Sequence, residues 1–173
     1  MKRFLAALTC CALLTLCSCS DDSSSSADPP SPTPTSASSE PSPTQEVETP
    51  EEFVRRWVEV SNEMQNTGET AAYRSISRGC RPCTAVADQV ERYFKAGGYV
   101  KTEGWSITSV KLSESGPKGR VTATVEVDSA PTEFQESADA DAQTLEGGSV
   151  IELMTIEPQG ESWVLTNLEQ QAQ

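Results

Sequence analysis

Cys80 and Cys83, separated by two residues in "SRGCRPCTA", are the residues whose type and spacing most suggest chemistry. Cysteines at this spacing close a small disulfide. Where one sulfur is stabilised as a thiolate, such a bond exchanges with other thiols. Cys80 falls where a helix is predicted to begin, and a helix dipole favours thiolate; Arg78 and Arg81 add positive charge nearby. The chemistry on offer is thiol–disulfide exchange, or a structural disulfide that locks one short helix to the start of the next.

The surroundings favour the structural disulfide. Pro82 echoes the proline of the thioredoxin motif, but sites of that kind follow a buried apolar strand in a βαβ unit. Here "AAYRSIS" precedes the pair and reads as a short helix, and no βαβ pattern follows. Ala130-Pro131-Thr132 mimics the proline segment that faces such sites, yet polar residues follow it. Metal chemistry has less support. A structural zinc site wants four Cys or His ligands, and the chain has no histidine. Asp139 and Asp141 resemble the start of a calcium loop, but no glycine takes the turn position and Val150 stands where a bidentate glutamate belongs. Without histidine, a G-x-S-x-G or a phosphate loop, nucleophilic catalysis has no machinery either. No cofactor and no metal are expected.

A second set of residues has the size for binding. Trp57, Trp105 and Trp163, with Tyr73 and Phe94, would line an apolar pocket or, at the spacing they have, pack as plain core. The candidate pocket is Trp57, Tyr73, Trp105 and Trp163.

The elements that position these residues follow from periodicity. In "TPEEFVRRWVEVSNEM", Thr49 can cap a helix, Pro50 suits its first position and Glu52 completes a capping box. Phe53, Trp57, Val60 and Met64 recur at helical spacing, and Thr67-Gly68 ends the run. A short helix is predicted at Thr70 to Ser77, burying Tyr73 and Ile76. A third covers about Arg81 to Ala96, with Val86, Val90 and Phe94 on one stripe, stopped by Gly97-Gly98. The period then changes to two. "WSITSVKL" starts with Trp105 and Ile107 on one face and resumes with Val110 and Leu112, a shift of phase that predicts a bulge. "RVTATVEVD" alternates cleanly, and "GPKG" turns between these strands. "SVIELMTI" and "SWVLTNL" make a second hairpin around "EPQGE", with Pro158 and Gly160 supplying the turn. "SAPTEFQESADADAQTLEGG" between the hairpins reads as a long loop or ragged edge strand. Helices followed by an antiparallel meander make an α+β fold, with N-terminal helices packed on one sheet face.

The runs "FVRRWVEVSN", "CRPC", "YFKAGGYVKTEGWSITSV" and a late "WVL" resemble an uncharacterised family of Gram-positive lipoproteins with a nuclear-transport-factor-two-like (SnoaL-like) domain. The likeness covers most of Thr49 to Leu168. It implies a cone-shaped fold and a location, and it brings no established activity. Folds of this type hold ligands in the mouth of the cone and pair through an exposed sheet face, where a homodimer would form.

The start of the chain fits that location. Lys2 and Arg3 precede the apolar run Phe4 to Leu16, which is too short to span a bilayer and reads as an export signal, residues 1–18. "LCSC" resembles the bacterial lipobox, which implies cleavage before Cys19 and a diacylglycerol on its sulfur. Two or more acyl chains anchor stably where one is marginal. Loss of Lys2 and Arg3 leaves 11 basic against 26 acidic residues, a balance of −15. That acidity excludes nucleic acid as a partner. It also excludes electrostatic attachment to anionic lipid. Cys80 and Cys83 become the one cysteine pair of the mature chain, in a compartment where disulfides persist. Residues 19–48 carry the anchor and a Ser/Pro/Thr-rich tether with too little apolar surface to fold. At extended polyproline geometry it reaches about 90 Å at most. The expected protein is a membrane-anchored surface lipoprotein. Its domain, residues 49–173, extends from the outer face of the cell membrane into the wall. There it binds an envelope protein or a small molecule without catalysis; the alternative is a thiol–disulfide oxidoreductase.

Overall fold

The computed structural model describes residues 47–114 and 116–171. The export signal, Cys19 and the tether up to residue 46 lie outside the described residues. Among the described residues no helix is long and apolar enough to cross a membrane.

The first helix, α1, spans Pro50–Thr67. Its capping box is complete: Thr49 Oγ1 accepts from the Glu52 amide, and the Glu52 carboxylate accepts from the Thr49 amide at 2.8 Å. Phe53, Val54, Trp57 and Met64 are buried along one face. Gly68 closes the helix at φ +77°, and a side chain there would meet the Phe94 ring at 2.5 Å. Glycine therefore satisfies both the left-handed turn and the close approach. Helices α2 (Ala71–Ile76) and α3 (Arg81–Lys95) follow, joined through Cys80 at the N-cap of α3.

Among the described residues seven strands form two antiparallel sheets. The larger contains β2 (Trp105–Glu114), β3 (Val121–Ser129), β6 (Gly148–Gln159) and β7 (Ser162–Gln171), in the order β2-β3-β6-β7. Val121, Ala123, Val125 and Val127 of β3 face the helices with Met154 and Ile156 of β6. The predicted bulge in β2 is present, with Thr108 as the extra residue between Ile107 and Ser109. A second bulge places Thr166 as the extra residue of β7. This is the expected α+β layout of helices on an antiparallel sheet.

Three features differ from expectation. The polar stretch between the hairpins contains β4 (Thr132–Gln135) and β5 (Gln143–Leu145). With β1 (Tyr99–Thr102), they form a second sheet in the order β1-β4-β5, so the meander is split between two sheets. Pro158 is not in the turn. It lies in β6 opposite Trp163, and Gly160, at φ +65°, makes the turn with Glu161. On α3 the buried stripe is Cys83, Ala87 and Val90, and Val86 is 42 % exposed.

Two asparagines one turn apart on α1 hold the β1–β2 connection. Asn62 exchanges hydrogen bonds with the Trp105 backbone at 2.9 and 3.0 Å, and Asn66 does the same with Thr102 at 3.0 Å. Gly104 is required here, because a Cβ would sit 2.2 Å from the Asn62 carboxamide oxygen. The folded part also takes in Glu48. Its amide donates to the Glu161 carbonyl, its own carbonyl accepts from Trp163 Nε1 at 2.9 Å, and its carboxylate holds Arg56 at 2.7 and 2.9 Å. The Arg56 guanidinium keeps the Glu48 carboxyl below its ordinary pKa.

Candidate functional site

The expected aromatic pocket is filled. Trp57 and Tyr73 are fully buried, with ring centroids 5.4 Å apart, and Trp105 packs on Trp57 at 6.2 Å. The indole N–H of Trp57 donates to buried Ser77 Oγ at 2.9 Å. These three rings are brought together as core. Trp163 is positioned differently, by its bond to the Glu48 carbonyl at the β6–β7 turn.

Cys80 and Cys83 are joined, with Cα atoms 5.3 Å apart. The Cys83 amide donates to Cys80 Sγ at 3.2 Å, so the sulfur also serves as the helix cap. Both cysteines are 0 % exposed. Exchange requires a thiolate to approach a sulfur directly, and neither residue exposes surface to solvent. A cleft of about 210 Å³ runs along the flank of the pair, lined by Tyr73, Arg74, Ser77, Arg78, Gly79 and Thr84, with Cys83 at its wall. Arg74 is committed to Asp88 and Glu91 at 2.7 and 2.9 Å. Asp139 and Asp141 lie in the turn between β4 and β5. Among the described residues no three His, Cys, Asp or Glu side chains stand close enough to hold a metal.

The open site is elsewhere. Between α3 and the inner face of the small sheet is a cleft of about 220 Å³. Val86, Val90 and Tyr93 supply one wall, and Val100, Phe134 and Leu145 the other. Tyr93 and Phe134 stack at 5.7 Å with their planes 9° apart. Gln89 Nε2 donates to the Tyr93 hydroxyl at 2.6 Å, and that hydroxyl donates to Glu136 at 3.3 Å, so the ring is fixed. Val86 and Leu145, 42 % and 59 % exposed, flank the opening. Gln65, Gln89 and Thr132 are the polar members of the lining, and no charged residue is among them. The arrangement suits an uncharged, apolar group with a few hydrogen-bonding atoms. Periodicity had placed Val86 on the core stripe, which hid it. The small sheet was hidden because β1 and β4 are far apart in sequence and the stretch that holds β4 and β5 is polar and weakly patterned.

One buried group was also missed. Glu152 is 4 % exposed and stands directly opposite Val125, in phase with Met154 and Ile156. Its burial raises the carboxyl to about 6. Burial, and then the nearby Glu152 charge, hold the Tyr73 phenol well above its ordinary range. The signal was present in "SVIELMTI", where alternation puts the glutamate on the inward phase.

No protein-family model matches the chain, and no curated protein matches it. Similar solved structures include the intermembrane-space region of the chloroplast protein ARC6, 14% identical, covering 76% of this chain and 100% of that one at a TM-score of 0.47. An uncharacterised protein with a cystatin-like fold from Caulobacter vibrioides is 8% identical, covering 69% and 87% at 0.45. Aln2 from a Streptomyces species is 10% identical, covering 72% and 93% at 0.45. Likeness at this level carries nothing about ligand or activity, and the α+β fold rests on the packing of α1–α3 against two antiparallel sheets.

Proposed function

We propose that this chain is an exported, lipid-anchored binding protein without catalytic activity, and that the cleft between α3 and the small sheet is its binding site. Cys19 carries the anchor. The tether holds the domain off the outer face of the cell membrane, and the cleft takes an apolar group from an envelope protein or a small molecule. The lipoprotein resemblance of the sequence supports the location. The observation that carries the binding reading is the apolar opening between Val86 and Leu145 above the fixed Tyr93–Phe134 pair. Exposed apolar surface that a fold does not close is a common mark of a binding site. No observation favours thiol–disulfide exchange, since both cysteines are enclosed.

The test uses the neutral dye N-phenyl-1-naphthylamine, whose fluorescence rises in apolar surroundings. The full chain should enhance it, and the double variant Val86→Ser, Leu145→Ser should not. Equal enhancement by both proteins would remove the cleft as the site. The anchor is tested separately by metabolic labelling with a clickable fatty acid. Label on the wild type and none on Cys19→Ala is the expected result, and label that survives the substitution would refute it.

A further inference from the structure

We propose that the free edge of β5 accepts an extended, basic polypeptide segment as a fourth strand of the small sheet, with apolar side chains of that segment seated in the mouth of the α3 cleft. This rests on the cleft reading above and names the partner's chemistry.

The edge is bare. β5 is the outermost strand of the order β1-β4-β5, and its three residues are exposed. Among the described residues, Gln143–Leu145 make no backbone hydrogen bond beyond their ladder with β4. Unpaired strand edges are templates for another chain, and proteins guard them with lysines, prolines, bulges and short length. The edges of the large sheet are guarded in this way: β2 carries Lys111 and the bulge at Thr108, and β7 carries the bulge at Thr166. β5 has no lysine, proline or bulge, and its guard is its length of 3 residues, which limits an added strand to a short ladder beside the apolar cleft.

The edge also borders the cleft. Leu145 is opposite Thr132, and both line it. A strand added beside β5 would continue the inner face of the small sheet beneath Val86. Every second side chain of that strand would then face the opening.

Charge selects the partner. From Ser129 to Gly148 there are five carboxylates, Glu133, Glu136, Asp139, Asp141 and Glu146, and no lysine or arginine. Glu133 is near Lys101, but among the described residues Asp139, Asp141 and Glu146 have no cationic partner. An incoming strand with lysines between its apolar residues would meet this acidic border with complementary charge. The occupant is therefore an extended segment of another polypeptide, alternating apolar and basic.

The probe is a short peptide of alternating lysine and valine, titrated into the full chain, with amide hydrogen exchange followed by mass spectrometry. Two control peptides are used: alternating lysine and serine, and lysine–valine with alternate backbone nitrogens methylated. The lysine–valine peptide should bind, and it should slow exchange over Gln143–Leu145. Each control should bind at least about tenfold more weakly, the loss expected when roughly 1.4 kcal/mol of apolar or backbone contact is removed. The double variant Val86→Ser, Leu145→Ser should lose a similar factor. Equal binding of the lysine–serine peptide would reduce the effect to charge alone and overturn the proposal. Equal binding of the methylated peptide would overturn strand addition, as would protection confined to the edges of β2 or β7. If no peptide binds while the naphthylamine dye still does, strand addition falls and the cleft reading stands. If neither peptide nor dye binds, both fall.

Discussion

Against the four-stranded sheet the described helices pack closely, with a cleft of about 210 Å³ on the flank of the disulfide. Trp57, Tyr73, the disulfide and the inward residues of β3 and β6 fill the space between layers. Against the three-stranded sheet, α3 leaves a cleft of about 220 Å³. The same helix serves both regions, with Cys83 and Ala87 in the core, Val86, Gln89 and Tyr93 on the open side, and Val90 reaching both. The difference lies in the strands. β3 and β6 supply 9 and 12 residues, whereas β4 and β5 supply 4 and 3. A short sheet offers too few inward side chains to cover a helical stripe, so apolar surface remains open where the strands run out. In this molecule Trp57, Tyr73 and the cysteines belong to the closed region, and the open cleft belongs to the region built from the least regular sequence.

The strongest test of this contrast removes a ring from the closed region. Trp57→Ala takes away the centre of the aromatic cluster and its bond to Ser77, and should cost about 3–5 kcal/mol in urea unfolding. A cost under about 1 kcal/mol would mean that the region is not closed.

The next test titrates the closed region. Burial raises the Glu152 carboxyl from 4.5 to about 6. Its folded pKa lies above its unfolded value. The stability tied to its neutral form is therefore whole below pH 4.5 and lost as pH rises through about 6. The loss amounts to about 2 kcal/mol. Glu48 and Glu91, whose carboxyls are lowered by their hydrogen bonds to Arg56 and Lys95, contribute the opposite slope at acid pH. Comparison with Glu152→Gln isolates the buried group. The variant should gain about 2 kcal/mol on the wild type between pH 4.5 and a pH above 6, and a constant difference across that range would contradict the burial.

The disulfide closes so short a loop that chain entropy gives it about 2 kcal/mol at most. Reduction of the bond to two thiols should lower stability by no more than that and leave dye binding in the α3 cleft unchanged. The enclosed sulfurs should also give a reduction potential below about −300 mV, as structural disulfides do. A value near −150 mV, about that of catalytic disulfides, would return thiol exchange to consideration.

The smallest effect on folding is expected at the open region. Leu145→Ser should change stability by less than about 0.5 kcal/mol, because the residue is more than half exposed, while weakening dye binding strongly. If it unfolded the protein, the cleft would be core and the contrast would disappear.

How much of this could be read in advance follows the range of each interaction. The capping box of α1, its Gly68 stop and the bulge of β2 are set by residues within a few positions of one another, and all were legible. The alternation of β3 placed Val121, Ala123, Val125 and Val127 inward, where they are. Trp57, Tyr73 and Trp105 were recognised as apolar anchors, but spacing alone could not tell a filled cluster from an open pocket. Val86 was placed on the wrong side of α3, because the helical period allowed two neighbouring stripes and the buried disulfide selected the one through Cys83 and Ala87. Glu152 was readable as an acid on an inward phase and was overlooked among its apolar neighbours.

The sequence by itself determined the helices, the large-sheet strands and the acidic balance, because period, capping and charge depend on which residues lie close along the chain. Tertiary structure decided which apolar face was closed and which was left open. The pairing of β1 with β4 joins Tyr99 to Gln135 and Thr102 to Thr132 across more than one intervening strand. Whether α3 then meets a full or a partial wall depends on side-chain volumes brought together from β1, β4 and β5, and no local pattern records that sum.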